Sequence, residues 1–450
     1  MKHINLKIER TIYRKDLIQA RNLKQVFKTI RNYLAGNISG ITRDEILAEQ
    51  LIFLLFCKIK DELTVKPDEP VNFQINHPNS DTLIKRISRI FIDLKKEYNK
   101  IFEENDSIIL DEETLKSIVK ELENLCITEA SRDAIGDAFE IFLGPSLRGN
   151  KGQFFTPKNV VKIMIKILDP RIHEKIIDPA CGSGGFLIEA VTYLKRGLNN
   201  TQNDVIWERN VRGIDKDRFL AKIANIYLMI LGLKYNPVHC ENSLVPPTDW
   251  SSDTFKEIGL GQFDIVVTNP PFGVKIPINS EKTLKQYHIG YKWRKKEKLS
   301  KRWEKTDTIQ EKQPPQLLFI ERCLDLLKEG GRMGIVLPDG LFGNPSNRYV
   351  LQFLQEKTKI IAIISCSHLT FLPHTHTKTS LLFLEKKIPK KDYTFFMAIA
   401  ENVGHDKNGK SLYIMDKKGN YILNAKNERI INDDFPKIIK NYKRHQNGEL

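Results

Sequence analysis

The chain has 450 residues, a formal net charge of +15 and an isoelectric point near 9.3. This length provides for two or three domains with sizeable cores, and the basic excess suits a polyanionic partner, although a lysine-rich proteome would give the same excess. No apolar run reaches the ~18 residues of a membrane-spanning helix, so no membrane partner is expected. The six cysteines lack paired spacing, which argues against a disulfide framework or a zinc site and favours a reducing cytoplasm.

The first part of the chain predicts a helical domain, residues 1–125. Its apolar residues recur at three- and four-residue spacing with charges between them, as on the buried face of a helix. Helices are predicted over residues 41–63, 81–102, 114–126 and 133–142. Residues 64–79 are rich in proline, asparagine and acids and predict a linking loop.

A glycine-rich turn at residues 182–185 follows a short apolar strand. Glycines allow such a turn to pass close to a ligand before a helix that begins near Phe186. The dinucleotide fingerprint, counted from Gly182, needs a glycine where this chain has Leu187, which disfavours a nicotinamide or flavin. Asp178 opens the turn with a carboxylate, which suits an ammonium group better than a pyrophosphate and favours an amino-acid-containing cofactor.

Polar residues end the next two predicted strands. Asp215 ends the strand at residues 211–215, and its carboxylate could accept hydrogen bonds from two ribose hydroxyls or cap the helix predicted over residues 218–233. Asn242 follows the strand at residues 238–240 and could meet an adenine edge with its amide. Loop polarity alone would also place an asparagine there.

The tetrapeptide Asn269-Pro270-Pro271-Phe272 leaves the carboxyl end of the apolar strand predicted over residues 263–268. An asparagine amide oxygen and a proline carbonyl are uncharged acceptors suited to an exocyclic amino group, and a phenylalanine ring offers a flat face to a base. By itself the motif could simply end the strand and turn the chain. Together with the glycine turn, it favours a pocket for an amino-bearing base.

A basic stretch follows this motif, with Trp293 and Trp303 interleaved. Its basic residues are Lys292, Arg294, Lys295, Lys296, Lys298, Lys301, Arg302 and Lys305. The pattern is typical of a loop that tracks a phosphate backbone and equally of a solvated, disordered loop. A loop that becomes ordered on DNA would satisfy both interpretations.

Strands alternate with helices from residue 175 to about residue 386, which is the doubly wound pattern of an α/β fold. The last strands are predicted at residues 331–338 and 378–384, and a basic helical segment at residues 433–445. We expect no internal repeat. About sixty-five residues follow the last predicted strand, too few for a further large domain.

In this order, the motifs resemble the modification (M) subunit of type I restriction-modification systems, in the N6-adenine DNA methyltransferase family. Residues 152–157 resemble the family's segment ahead of the glycine turn, residues 178–186 its cofactor loop and residues 269–272 its catalytic motif. The resemblance implies a Rossmann-like class I methyltransferase domain at residues 126–390 that uses S-adenosylmethionine. Residues 391–450 would then be a C-terminal tail for partner docking.

The resemblance also implies roles for individual residues. The expected catalytic residues are Asn269, Pro270, Pro271 and Phe272. The residues expected to bind S-adenosylmethionine are Gln153, Phe155, Thr156, Pro157, Asp178, Ala180, Cys181, Gly182, Ser183, Gly184, Ile214, Asp215, Asn242 and Ser243. Asn242 stands where many relatives carry an acid, but its amide oxygen can still accept a hydrogen bond. No metal is expected.

The activity that this implies is site-specific methylation of adenine N6 in double-stranded DNA, on a base flipped out of the duplex. Cytosine N4 is an alternative target because its amino group presents the same two hydrogens. The expected partners are DNA, a specificity (S) subunit and, as a further candidate, a restriction (R) subunit. The rival functions are methylation of RNA or protein and a non-catalytic DNA-binding role in a defence complex.

Overall fold

The computed structural model describes residues 10–20, 22–37, 44–98, 102–130, 156–196, 209–233, 235–272, 277–297, 302–372, 375–389, 392–425 and 427–449. The chain divides into two compact units, Met1–Arg148 and Gly149–Leu450. The helix predicted over residues 133–142 lies outside the described residues, as do Gln153 and Phe155.

The described part of the first unit is helical, as predicted. Its helices are α1 (Leu23–Asn37), α2 (Asp44–Thr64), α3 (Leu83–Glu97) and α4 (Glu112–Leu122), and its short strands β1 (Ile18–Gln19) and β2 (Leu125–Cys126) pair in parallel. α4 begins at a cap in which the Asp111 side chain accepts the N–H of Thr114. The prediction that this helix reaches Cys126 is wrong, because Cys126 pairs with Gln19 in the two-stranded sheet.

The linking loop predicted at residues 64–79 is a packed part of this unit. Phe73 is fully buried, and its N–H donates to the Asp61 carboxylate at 2.8 Å. The Arg86 guanidinium donates to the carbonyl of Gln74 at 2.5 Å. Side chains from α2 and α3 therefore supply the hydrogen bonds that this irregular backbone needs.

An eight-stranded sheet organises the described residues of the second unit. Its strands are β3 (Ile176–Asp178), β4 (Val211–Asp215), β5 (Val238–Cys240), β6 (Phe263–Thr268), β9 (Leu327–Pro338), β10 (Lys359–Cys366), β11 (Thr379–Glu385) and β12 (Phe396–Ala400). They lie in the order β12-β10-β11-β9-β6-β3-β4-β5. β11 runs antiparallel to both of its neighbours, and the other neighbouring pairs are parallel. The separate strands β7 (Tyr291–Lys295) and β8 (Trp303–Ile309) form an antiparallel hairpin.

Helices cover both faces of the sheet. They are α5 (Lys158–Leu168), α6 (Gly185–Arg196), α7 (Arg218–Ile230), α8 (Ser252–Glu257), α9 (Glu281–Leu284), α10 (Pro315–Leu326), α11 (Gly340–Gly343), α12 (Arg348–Lys357) and α13 (Phe435–Gln446). Successive strand residues enter opposite cores: Ile176 and Ile265 belong to one hydrophobic cluster, and Ile177 and Val266 to the other. The predicted doubly wound α/β fold is confirmed. Among the described helices, none is long and apolar enough to cross a membrane.

The strand order reverses between β3 and β6. From β3 the chain proceeds to β4 and β5 on one side, and it then returns to place β6 on the other side of β3. In open α/β sheets, ligands bind in the crevice outside the carboxyl ends of the strands at such a reversal. Asp178 is the last residue of β3, and Asn269 directly follows β6. Both sequence motifs therefore meet at the edge where a ligand is expected.

Residues 403–433 contain three equivalent hairpin turns, so the expectation of no internal repeat is wrong. The first residues of the turns are Asp406, Asp416 and Asn424, and the fourth residues are Gly409, Gly419 and Asn427. In each turn the side-chain oxygen of the first residue accepts the N–H of the residue four positions later, at 2.9, 2.9 and 3.0 Å. Each fourth residue has a positive φ, which favours glycine or asparagine. We call residues 403–433 the turn array.

Candidate active site

Asp178 is a buried carboxylate at the end of β3. It is 1% exposed, and its Oδ1 accepts the N–H of Ala180 at 3.0 Å, which turns the chain into the glycine loop. Burial raises the pKa of Asp178 to about 7, because the charged form loses its hydration. A cationic partner such as an ammonium group would stabilise the ionised form of this buried carboxylate.

Two glycines shape the turn that follows. Gly182 and Gly184 have φ values of 53° and 87°, a region that other residues rarely adopt. A Cβ on Gly184 would lie 3.1 Å from the Cβ of Ala224 in α7, whereas a Cβ on Gly182 would meet nothing within 4 Å. Gly184 thus allows the turn to pack against α7, and Gly182 leaves open space in front of the turn.

Asp215 holds the same turn from the end of β4. Its Oδ2 accepts the N–H of Gly182 at 2.8 Å, and its Oδ1 accepts the N–H of Asp217 at 2.8 Å. Burial raises the pKa of Asp215 to about 6. The alternative that Asp215 caps the following helix is wrong, since the Asp217 side chain accepts the N–H groups of Phe219 and Leu220. A carboxylate has about four acceptor positions, so Asp215 keeps capacity for a ligand.

The residues behind the turn face the core. The N–H of Cys181 donates to the carbonyl of Ile214 at 3.0 Å, and both side chains are buried. Any contact of these two residues with a ligand would use backbone groups. Ser183 is half-buried within the turn.

The loop after β5 joins the same edge of the sheet. The hydroxyl of Ser243 is buried and donates to the carbonyl of Pro179, next to Asp178. The Oδ1 of Asn242 accepts the N–H of Leu244 at 3.0 Å, and its carbonyl accepts from the indole of Trp250. The predicted adenine contact of Asn242 stays a prediction, and the amide oxygen already takes part in a local turn.

Asn269 supplies the most informative geometry of the site. Its Nδ2 donates to the Thr156 Oγ1 at 2.9 Å, while its Oδ1 is buried and has no hydrogen-bond partner among the described residues. An unpaired buried acceptor costs about 1–3 kcal/mol. Such groups are rare in native proteins and often mark a catalytic or ligand-binding role. Because Thr156 engages the nitrogen, the oxygen remains as the acceptor at the carboxyl end of β6.

The rest of the motif lies beside this amide. Pro270 is buried and Pro271 is half-buried, and each offers a carbonyl without an N–H. Phe272 is 8% exposed and belongs to the hydrophobic cluster that includes side chains of α5 and α6. Stacking on a base would therefore require the ring to turn out of this cluster. The burial of Phe272 was not predicted from the sequence.

The structure thus brings four segments of the sequence prediction to one edge: the loops after β3, β4, β5 and β6. It also shows that Thr156, to which the resemblance gives a cofactor role, contacts Asn269; the cofactor role stays a prediction. Pro157 follows as the residue that precedes α5. Thr156 and Asn269 are 113 positions apart, so no local pattern could have paired them.

A central parallel sheet with one reversed strand, a glycine turn after β3 and an asparagine motif after β6 define a class I methyltransferase fold. The chain belongs to the N-6 DNA Methylase family, whose model matches residues 130–449.

The chain is similar to methylase subunits of type I restriction enzymes. It is 27% identical over 289 residues to the EcoEI methylase subunit of Escherichia coli, and this alignment covers 63% of this chain and 52% of that protein. It is 27% identical over 390 residues to the StySPI methylase subunit of Salmonella potsdam, and this alignment covers 80% of this chain and 66% of that protein. The chain therefore spans about half to two thirds of the length of these relatives.

A solved structure shares the fold. The type I restriction-modification system methyltransferase subunit from Streptococcus thermophilus aligns with a TM-score of 0.56 at 16% identity. The alignment covers 94% of this chain and 92% of that chain. At this identity, the likeness establishes the common fold.

Proposed function

We propose that the chain transfers a methyl group from S-adenosylmethionine to adenine N6 of a base flipped out of double-stranded DNA. The observation that carries this proposal is the unpaired, buried Oδ1 of Asn269, which lies at the strand reversal beside the glycine turn. Membership of the N-6 DNA Methylase family supports the choice of substrate. The intact motifs on β3 and β6 favour catalysis over a purely DNA-binding role.

The residues around β3 fit S-adenosylmethionine. The buried Asp178 carboxylate would pair with the ammonium group of the methionine moiety, and the open space at Gly182 would admit the ligand close to the turn. Asp215 would accept from the ribose hydroxyls with its remaining acceptor positions. When bound, S-adenosylmethionine supplies a methyl group on a positively charged sulfur.

The residues after β6 would activate the target amino group. Its nitrogen lone pair is delocalised into the base, so attack requires a more tetrahedral nitrogen. The Asn269 Oδ1 and the Pro270 carbonyl would each accept one hydrogen of the amino group and stabilise the positive charge that develops on it. Thr156 would keep the amide of Asn269 in the orientation that presents oxygen. If the Phe272 ring turns out of its hydrophobic cluster, it would stack on the flipped base and offset part of the few kcal/mol that flipping costs.

We infer that a separate specificity subunit selects the DNA site, because both curated relatives are subunits of larger enzymes. Within residues 391–450, β12 and α13 pack into the second unit, since Phe396 and Tyr442 share its hydrophobic cluster. The turn array carries exposed apolar side chains, including Met415 and Ile431. The turn array and the N-terminal helical unit are therefore our candidate docking elements for the specificity subunit, and a restriction subunit is a further candidate partner.

Base-resolution mapping of modified DNA tests the proposal. A host that carries this chain with a specificity subunit should gain N6-methyladenine at one recognition site, and Asn269→Ala should abolish it. Methylation that persists in the variant would contradict the role of Asn269. N4-methylcytosine at the site would change the target base, and failure of the purified chain to bind S-adenosylmethionine in calorimetry would favour a non-catalytic subunit.

A further inference from the structure

The basic stretch after the catalytic motif forms the β7–β8 hairpin. Trp293 pairs with Lys305, Arg294 with Glu304, and Lys295 with Trp303. The N–H of Lys296 donates to the carbonyl of Arg302 at 3.0 Å and continues the ladder beyond the strands. The described residues of this stretch thus form a regular element rather than an open loop.

Both tryptophans anchor the hairpin to α12. The ring centroids of Trp293 and Trp303 lie 5.6 and 6.3 Å from that of Tyr349. The N–H of Trp303 donates to the Gln352 side chain at 2.7 Å, and the Gln352 amide donates back to the Trp303 carbonyl at 2.9 Å. The aromatic rings that the sequence suggested as partners for nucleic acid are therefore used for packing, and they offer no stacking platform for bases.

The opposite face of the hairpin carries cations. Side chains alternate along a strand, so Lys292 and Arg294 point away from the face that holds Tyr291 and Trp293. Lys292 and Lys296 are exposed, and the Arg294 side chain is 74% exposed while pairing with Glu304 at 2.8 Å. Over residues 291–309 the sequence has eight basic and three acidic side chains. This face suits phosphates and offers no aromatic surface.

The hairpin lies at the edge of the sheet that holds the candidate active site. It belongs to the connection that leaves the carboxyl end of β6. Its anchor, Tyr349, is in the first turn of α12, in the connection that leaves the carboxyl end of the neighbouring strand β9. A duplex that delivers a base to Asn269 must lay its backbone across this edge.

We propose that the outer face of the β7–β8 hairpin, formed by Lys292, Arg294 and Lys296, binds the sugar-phosphate backbone of duplex DNA beside the flipped base. The position of the DNA in this inference rests on the proposed function. The contact is electrostatic and independent of base sequence, because Trp293 and Trp303 pack on Tyr349 of α12 and the Tyr291 ring lies under Lys305. It supplies affinity and orientation, and sequence choice remains with the specificity subunit.

The test compares two double variants of the full chain with the same loss of charge. Lys292→Gln with Lys296→Gln removes two cations from the outer face. Lys175→Gln with Lys256→Gln is the matched control: both lysines are exposed, one precedes β3 and the other lies in α8 shortly before β6, at the opposite edge of the sheet. Binding of a short labelled duplex is measured by fluorescence anisotropy between about 50 and 200 mM salt.

Each lost phosphate contact reduces the slope of log affinity against log salt by about 0.9. The hairpin variant should therefore lower the slope by about 1.8, so its loss of affinity should be about tenfold greater at 50 mM than at 200 mM salt, while the control stays near the wild-type slope. Unchanged tryptophan fluorescence would show that Trp293 and Trp303 keep their anchor.

Equal slopes for the hairpin variant and the control would overturn the proposal. Wild-type DNA binding combined with lost binding of the specificity subunit would also overturn it, because the face would then dock protein. If the wild-type complex transfers no methyl group while the difference in slopes persists, the hairpin contact is supported and only the proposed function fails.

Discussion

Replacing Thr156 with valine tests the orientation of the Asn269 amide. The sequence resemblance assigns Thr156 to the cofactor, whereas the structure places its hydroxyl 2.9 Å from the Asn269 Nδ2. Valine keeps the approximate shape of threonine and removes the hydroxyl. The amide would then lose the contact that keeps its nitrogen away from the target, and rotation by half a turn would present a donor to an amino group that also donates.

The size of the effect follows from this single contact. Removing one partner of a buried hydrogen bond costs about 1–3 kcal/mol. Since about 1.4 kcal/mol corresponds to a tenfold change in rate, Thr156→Val should slow methyl transfer about 5- to 150-fold. S-adenosylmethionine affinity should stay within about twofold, because the lost interaction acts on the reacting amino group.

The assay is single-turnover methyl transfer at saturating S-adenosylmethionine, in the complex with the specificity subunit, together with cofactor binding by calorimetry. Thr156→Ser is the matched control, since it restores a hydroxyl at the same position and should keep a rate near that of the wild type. If Thr156→Val weakens cofactor binding and leaves the saturated rate unchanged, Thr156 serves the cofactor and the positioning role is wrong.

Three further predictions concern the same edge of the sheet. Asn269→Ala should reduce single-turnover methyl transfer by about 100-fold or more, with calorimetry showing normal cofactor binding. The pKa of Asp178 is about 7, and only its ionised form pairs with an ammonium group. Cofactor affinity should therefore fall about tenfold for each pH unit below 7. In calorimetric titrations, Asp178→Asn should remove this pH dependence. Gly184→Ala and Gly182→Ala should each lower the free energy of unfolding by about 1–3 kcal/mol because of their positive φ, and Gly184→Ala should cost more because its Cβ would also lie 3.1 Å from Ala224. Gly182→Ala should in addition weaken cofactor binding, because its Cβ would enter the open space in front of the turn.

Elements buried within the sheet could be predicted from the sequence. The strands expected at residues 211–215, 238–240 and 263–268 have the same bounds in the structure. A strand buried on both faces is a continuous apolar run, and the polar residue that ends it marks the sheet edge. This signal is local, so it can be recognised in the sequence without knowledge of the fold. The location of the glycine turn and of Asn269 at that edge follows from it.

The contacts across that edge could not be predicted. Thr156 and Asn269 meet only because α5 begins beside β6, and the hydrogen bond from the Gly182 N–H to Asp215 joins residues 33 positions apart. The burial of Phe272 likewise depends on packing.

The turn array was missed for a different reason. Its turns are spaced ten and eight residues apart, and the third has Asn424 and Asn427 where the others have aspartate and glycine. Asparagine can accept the same backbone N–H as aspartate and can adopt the same positive φ as glycine, so the turn geometry repeats although the residue types differ. A search for an Asp or Asn followed three residues later by Gly or Asn would have found the three turns.

The distribution of charge along the edge matches the direction of the proposed reaction. The ionisable acceptors, Asp178 and Asp215, stand at β3 and β4, where a cationic cofactor would bind, whereas the acceptors after β6 are neutral. In the proposed reaction the target nitrogen would bond to the methyl group as the bond from that group to sulfur breaks, and the positive charge that develops on the nitrogen would be lost when a proton leaves to water. A carboxylate in place of Asn269 would attract the charged sulfur before reaction and would lower the energy of the bound reactants as well as that of the transition state. A neutral oxygen held by Thr156 instead stabilises charge chiefly as it develops on the amino group, which is the interaction that accelerates the chemical step.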